Sequence, residues 1–238
     1  METFTSLFAG ALKTMHVVLD ALPSIVSGSV VTLGIVFGAL TIGLVIGLFF
    51  ALLHVYGAPW QRLLVSLYVW FFRGFPILVL LFLGYGCFAA MGLPMHPFLI
   101  ATIVLGLTSC AYQSQIFRGA ILSLRGGQMQ AARALGMRDS QAIFSIIIPQ
   151  ALRLSIPGWT NEYSILLKDS AICFVLGTQD IMAKTAFAAA RTHEHLALYA
   201  AAGVLYFFLT LVIVKLLNRV EQAFHIPGYT SSSGEQNL

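Results

Sequence analysis

The chain has 238 residues, a formal net charge of +4 and only 22 charged side chains, 9% of the whole. Soluble domains carry about 25%, and a chain that is 58% hydrophobic could not keep a soluble surface wetted. Disorder and a large soluble enzyme are excluded by the same numbers, which leaves an integral membrane protein of one domain, residues 1–238.

The basic excess is local. Arg118, Arg125, Arg133, Arg138 and Arg153 are accompanied between positions 118 and 153 only by Asp139, and elsewhere eight basic residues balance eight acids.

At the N-terminus no basic residue precedes the first apolar stretch, and Lys13 interrupts it, so it is not a signal peptide. Phe4 to Leu19 reads as a short helix on the membrane surface. From Ala21 to Leu53 there are 33 residues without a charge. At about 1.5 Å per residue this exceeds the hydrocarbon core, so the first span tilts or starts above it. It contains Gly34-x-x-x-Gly38 and Gly43-x-x-x-Gly47, a spacing that lets a second helix approach closely.

A second span covers about Leu63 to Met91, with a kink expected at Arg73-Gly74-Phe75-Pro76. The third covers Pro97 to Phe117, the fourth lies within Leu154 to Gly177 and is interrupted by polar residues, and the fifth covers Leu196 to Val214. Five spans make an all-α polytopic membrane protein. Cys87, Cys110 and Cys173 fall in apolar runs and read as buried hydrophobes rather than a disulfide framework. Trp60, Trp70, Tyr85, Trp159 and Tyr199 near span ends read as interfacial or packing residues. His193-Glu194-His195 reads as solvated loop and not a metal site. The tail, Tyr229 to Leu238, is polar and expected to be disordered.

Basic residues favour the cytoplasmic side. Placing the 118–153 connection inside makes the N-terminus external and the C-terminus cytoplasmic. The other loops agree: the one at Met95-His96-Pro97 carries no Lys or Arg, and Lys184 and Arg191 are balanced by Asp180 and Glu194.

Within the basic stretch, Gly126-Gly127 is expected to break the third helix, Gln128 to Leu135 to form a short helix stopped by Gly136, and Asp139 to cap another that Pro149 ends or bends. Ala131-Ala132 offers a flat patch for a docking partner. A basic juxtamembrane loop attracted to anionic lipid would have the same charge.

The pattern here resembles the EAA loop of ATP-binding-cassette importer permeases. Gln130-Ala131-Ala132, Gly136, Ile146, Ile148 and Pro149 keep the family spacing, with Gln130 standing for Glu and Ile148 for Leu. Phe72-Arg73-Gly74-Phe75-Pro76, Ala111-Tyr112 with Ile116-Phe117-Arg118-Gly119, Asn161-Glu162 and Lys168-Asp169-Ser170 resemble, in order, elements of the polar amino acid branch, over roughly residues 24–226. Phe75, Leu80 and Gln115 depart from its usual Thr, Gln and Glu. The resemblance implies the type I importer permease fold (MetI-like) in a bacterial cytoplasmic membrane. It implies a transport subunit, not an enzyme, paired with a second copy or a paralogue. Two ATPase subunits would bind ATP and Mg and couple through Gln130, Ala131, Ala132, Gly136, Ile146 and Pro149. An external solute-binding protein would deliver the amino acid. No cofactor in this chain and no nucleic-acid partner is expected, and the chain has no G-x-x-x-x-G-K-[ST] phosphate loop.

Charges inside spans are costly and mark function by default. Glu162 and Asp169 lie seven apart on one helix face, suited to an ammonium group, and Asn161 and Lys168 share the adjacent face. Arg73 suits a substrate carboxylate. These five are the candidate substrate residues, with a lean toward cationic amino acids. The blander reading is that Lys168 and Asp169 neutralise each other and that Arg73 ties a kinked helix to the interface. An ion-coupled secondary transporter is the alternative function, although no two-fold repeat is visible.

Overall fold

The computed structural model describes the backbone of residues 2–223 and the side chains of residues 12–124 and 126–223. The expected polar tail at 229–238 lies outside the described residues. The elements are helices α1 (Glu2–Tyr56), α2 (Pro59–Gly74), α3 (Ile77–Ala90), α4 (Pro97–Ala134), α5 (Asp139–Ala142), α6 (Ile148–Leu154), α7 (Ile156–Asp169), α8 (Ile181–Thr192) and α9 (His195–Ala223). A π-helical turn, Ile143–Ile147, joins α5 to α6, and a 3-10 segment, Ser170–Leu176, follows α7.

Among the described residues three helices are long and apolar enough to cross a membrane, and five crossings result if each bent pair, α2 with α3 and α5–α6 with α7, is one span. The surface of α9 agrees with this. Val204, Phe207 and Phe208 are each at least 60% exposed, and soluble monomers rarely show apolar patches of that extent.

Four sequence expectations are corrected. No separate surface helix occupies Phe4 to Leu19, because α1 runs unbroken for 55 residues with Pro23 inside it. That is roughly 80 Å at ~1.5 Å per residue, far more than one crossing needs. Gly126-Gly127 does not break α4, which continues to Ala134. Two glycines cost about 2 kcal/mol of helix propensity, and the burial of Met129 and Ala132 just beyond them offsets it. Cys87 is exposed, while Cys110 and Cys173 are buried as expected. The polar stretch after Gly177 contains a helix, α8, that apolar periodicity did not indicate. At the second span the expected kink is a full break: α2 stops at Gly74, and Phe75 is extended at φ −97, ψ 141, as the residue before a proline prefers.

The chain forms two compact units. One comprises residues 1–39, 76–105 and 165–212. Its apolar core joins Ile25 of α1, Ile181 and Ala189 of α8, and Leu198 and Ala202 of α9. Asp180 caps α8 there: its Oδ1 accepts from the Ala183 N–H at 2.8 Å and its Oδ2 from the Thr178 hydroxyl at 3.0 Å. The next N–H, of Ile181, donates to Thr32 Oγ1 at 3.2 Å. Gly28 permits that approach, since a Cβ there would lie 2.7 Å from the Asp180 backbone.

The other unit comprises, among the described residues, 40–75, 106–164 and 213–223. Its core joins Ala51 and Val55 of α1, Phe117, Ile121, Met129 and Ala132 of α4, Ala142, Ile147 and Ala151. In both units the α1 glycines meet α4. A Cβ on Gly38 would lie 2.7 Å from Thr102 Cγ2, one on Gly47 3.2 Å from the Ser114 nitrogen, and one on Gly43 would collide with the Gln113 amide. Both paired-glycine motifs are therefore close-packing faces, as their spacing predicts.

Gly43→Leu is expected to destabilise the purified chain by about 1–3 kcal/mol through overpacking, read as a lower melting temperature in detergent. Gly203→Ala, whose added methyl meets open space, should change it by less than about 0.5 kcal/mol. Equal melting temperatures for the two variants would contradict the packing.

Candidate functional site

The basic loop begins where α4 ends. The Gly136 N–H donates to the Arg133 carbonyl at 2.9 Å and the Met137 N–H to the Ala132 carbonyl at 3.1 Å. These are the two bonds of a Schellman stop, and Gly136 supplies the left-handed residue it requires, at φ 77. The glycine stop read from the sequence is present at Gly136, but it terminates α4 itself rather than a separate short helix.

Asp139 is not the cap of the next helix. Arg138 occupies the cap position, and its N–H is satisfied at 3.0 Å by Gln141 Oε1. The Asp139 carboxylate instead accepts two bonds of 2.8 Å from the Arg133 guanidinium. This bidentate pair spans the glycine turn and ties the end of α4 to the start of α5. The Arg133 bonds hold the Asp139 carboxyl below its ordinary range. The contribution of the pair is thus present above that range and lost as pH falls through the lowered value, and its exposure keeps it small. Pro149 lies in the first turn of α6, immediately after the π turn. A proline has no N–H for the carbonyl one turn back and its ring crowds that carbonyl, and a widened turn relieves both problems. Pro149 thus bends the helix rather than ending it.

The loop has two faces. Ala132 is 1% exposed and packs in the core with Met129, Ala142, Ile147 and Ala151, with Ile146 partly buried against them. Gln130, Ala131, Gly136 and Pro149 face outward. The flat alanine patch is therefore Ala131 alone. Beside it stand two large apolar side chains not singled out in the sequence, Leu135 at 81% and Phe144 at 68% exposure. The available signal was an apolar residue on either side of the glycine stop with no periodic partner.

Within the spans, Glu162 on α7 is 3% exposed and accepts a 2.6 Å hydrogen bond from the Ser109 hydroxyl of α4. Gln113, one turn on, donates from Nε2 to Ser109 Oγ at 3.0 Å and to the Leu40 carbonyl of α1 at 3.1 Å, and its Oε1 accepts from Trp159 Nε1 at 2.7 Å. Sequence reasoning found Glu162 but missed Ser109, Gln113 and the inward role of Trp159. The signal was two polar residues four apart inside an apolar run. Asn161, next to Glu162, is exposed. Arg73 is exposed at the end of α2, with its guanidinium carbon 4.8 Å from the Tyr112 ring centroid. In the other unit, Lys168 is exposed and Asp169 half-buried at the end of α7. Glu162 thus lies within a closed hydrogen-bond network while Asn161 and Lys168 lie open. Among the described residues no three His, Cys, Asp or Glu side chains group as a metal site. His193 closes α8 in the left-handed conformation at φ 61.

Comparison with known proteins agrees with the loop pattern and the helical architecture. Residues 43–225 match the family of binding-protein-dependent transport system inner membrane components. The arginine ABC transporter permease protein ArtQ of Escherichia coli (strain K12) is 32% identical over 221 residues, 82% of this chain and 92% of that protein. The L-cystine transport system permease protein TcyL of Bacillus subtilis (strain 168) is 34% identical over 200 residues, 81% and 84% of the two chains. A crystal structure of an amino acid ABC transporter with histidines superposes with a TM-score of 0.78 at 34% identity, over 86% of this chain and 96% of that one. With its membrane-length helices and its glycine-stopped loop, the chain belongs to the family of binding-protein-dependent transport system inner membrane components, the permease subunits of ABC importers.

Proposed function

We propose that this chain forms one half of the membrane pathway of an importer for a polar amino acid in a bacterial cytoplasmic membrane. The observation that carries the coupling role is the outward face of the loop, where Ala131, Leu135 and Phe144 stand exposed beside the EAA-like spacing. Two exposed apolar side chains on a polar, basic segment suit a protein groove better than water. The partner is an ATPase subunit on the cytoplasmic side. Two such subunits bind the ATP and Mg, and this chain carries no cofactor. The second half of the pathway is another copy or a paralogue, and an external binding protein delivers the solute. The five basic residues from Arg118 to Arg153 support an orientation with the loop inside, the N-terminus outside and the C-terminus inside. An ion-coupled secondary transporter is disfavoured by the family membership.

The named relatives and the solved transporter have amino acids in common. The lean toward a cationic one rests on Glu162 and Asp169. Glu162 is held in the Ser109 network, and Asn161 and Lys168 are exposed.

Two experiments test this reading. Leu135→Asp or Phe144→Asp should lower recovery of the ATPase with the purified permease about tenfold or more, as expected for an interface anchor, while the permease keeps its melting temperature. Full recovery would remove the loop from the interface. In proteoliposomes holding the complete transporter, Glu162→Gln and Asp169→Asn should each reduce arginine or histidine uptake about tenfold, one charge-assisted contact, and leave uptake of a neutral amino acid less affected. Intact arginine and histidine uptake in both variants, with both halves of the pathway altered, would overturn the cationic lean and leave the coupling reading standing.

A further inference from the structure

A cleft of about 590 Å³ opens in the second unit at the end of α1, between α2 and α4. It is lined by His54, Ser66, Trp70, Arg73, Gln115 and Arg118, and by no aspartate or glutamate. The two arginines have only neutral neighbours: Arg118 Nη1 reaches Gln115 Oε1 at 3.3 Å, and Arg73 lies over the Tyr112 ring. Among the described residues neither makes an ion pair. Two guanidinium groups opening into one cleft repel each other unless an anion joins them.

A second, apolar groove of about 450 Å³ lies between α1 and α2, lined by Phe49, Phe50, Leu53, Trp60, Leu64 and Tyr68. Leu53 and His54, consecutive on α1, line one each, as do Val65 and Ser66 on α2. The two openings therefore lie on opposite faces of α2, and the basic cleft is separate from the apolar groove. The location fits a membrane boundary. His54 follows the charge-free run that ends at Leu53, and Arg118 is the first charge after the apolar stretch of α4. Trp70 at the rim is 75% exposed, as an interfacial aromatic would be.

We infer that this cleft binds the headgroup of an anionic phospholipid, with the phosphate between Arg73 and Arg118. A guanidinium fork matches phosphate oxygens, and basic pockets between spans on the cytoplasmic side take anionic headgroups. A zwitterionic amino acid fits less well, because its ammonium group would find no acid in the cleft. Arg73 is thereby assigned to lipid rather than to the substrate carboxylate.

The test uses the full chain in nanodiscs of phosphatidylcholine containing phosphatidylglycerol, with one or the other lipid brominated. The emission lost in Trp70→Phe defines the reporter. Brominated phosphatidylglycerol should quench it more strongly than brominated phosphatidylcholine at equal mole fraction. Each of Arg73→Gln and Arg118→Gln should lower the apparent preference about fivefold, the share of one basic residue near an anionic surface, and the two lysine variants should retain most of it. High salt should reduce the preference in the unaltered chain, a measurement that needs no variant to fold. Equal quenching by the two lipids would overturn the proposal, as would a preference that survives the double glutamine variant. Loss of the preference on adding millimolar inorganic phosphate would assign the cleft to a soluble anion, and loss on adding millimolar arginine would return it to the substrate.

Discussion

Gln113 occupies the space that the missing side chain of Gly43 leaves, and from there its amide joins three helices. It donates to the Leu40 carbonyl of α1 and to Ser109 on its own helix, and it accepts from Trp159 of α7. An amide that makes three of its four bonds away from water is specific as well as stabilising, because any shift of one helix leaves a buried donor or acceptor open at about 1–3 kcal/mol each. Ser109 extends the set to Glu162. The most deeply placed carboxyl side chain of α7 is therefore fixed by the same contact that sets the spacing of α1 and α4. Helix packing and intramembrane charge have a common origin here: glycine on one helix makes room for the amide that holds the acid on another.

That arrangement explains which features were visible in the sequence. The paired glycines announced a close approach by their spacing alone, and Glu162 announced itself by its charge. Gln113 and Ser109 did not, because a neutral polar residue in an apolar run has no signature until its partners are known, and those partners are 46 to 73 positions away. The glycine pair at 126–127 misled for the opposite reason. Local propensity argues for a break there, but Met129 and Ala132 are carried into a core with Ala142, Ile147 and Ala151, and tertiary packing outweighs about 1 kcal/mol per glycine. Asp139 misled because two local rules competed. Its type suits a helix cap, yet Arg133 lies within reach across the glycine turn, and a charged fork is a stronger partner than a backbone N–H. Helix α8 was hidden because seven of its twelve residues are Ala or Thr and its cap, Asp180, reads as one charge in a balanced loop.

The substrate question is where sequence reasoning reached its limit. Spacing put Glu162 and Asp169 on one face, and with no cation near them the two acids looked like an empty receptor. Side-chain placement separates them: Glu162 is closed in by Ser109, and the residues open to their surroundings are Asn161 and Lys168. A periodicity argument specifies a face but not whether that face looks toward a neighbouring helix or a pathway.

The continuity of α4 gives the proposed coupling its physical form. A loop separated from the spans by a flexible glycine pair would absorb a displacement. Here Ala131 lies in the last turn of the same helix that carries Ser109 and Gln113, and exposed Leu135 follows it directly, before the glycine stop. The Schellman bonds and the Arg133–Asp139 pair stiffen the exit from that helix, and Ala132 anchors it from the inner side. An α-helix transmits translation along its length with little compression, because each residue is tied to the next turn. A push on Leu135 therefore reaches Gln113, whose bonds to α1 and α7 must shift together or break together.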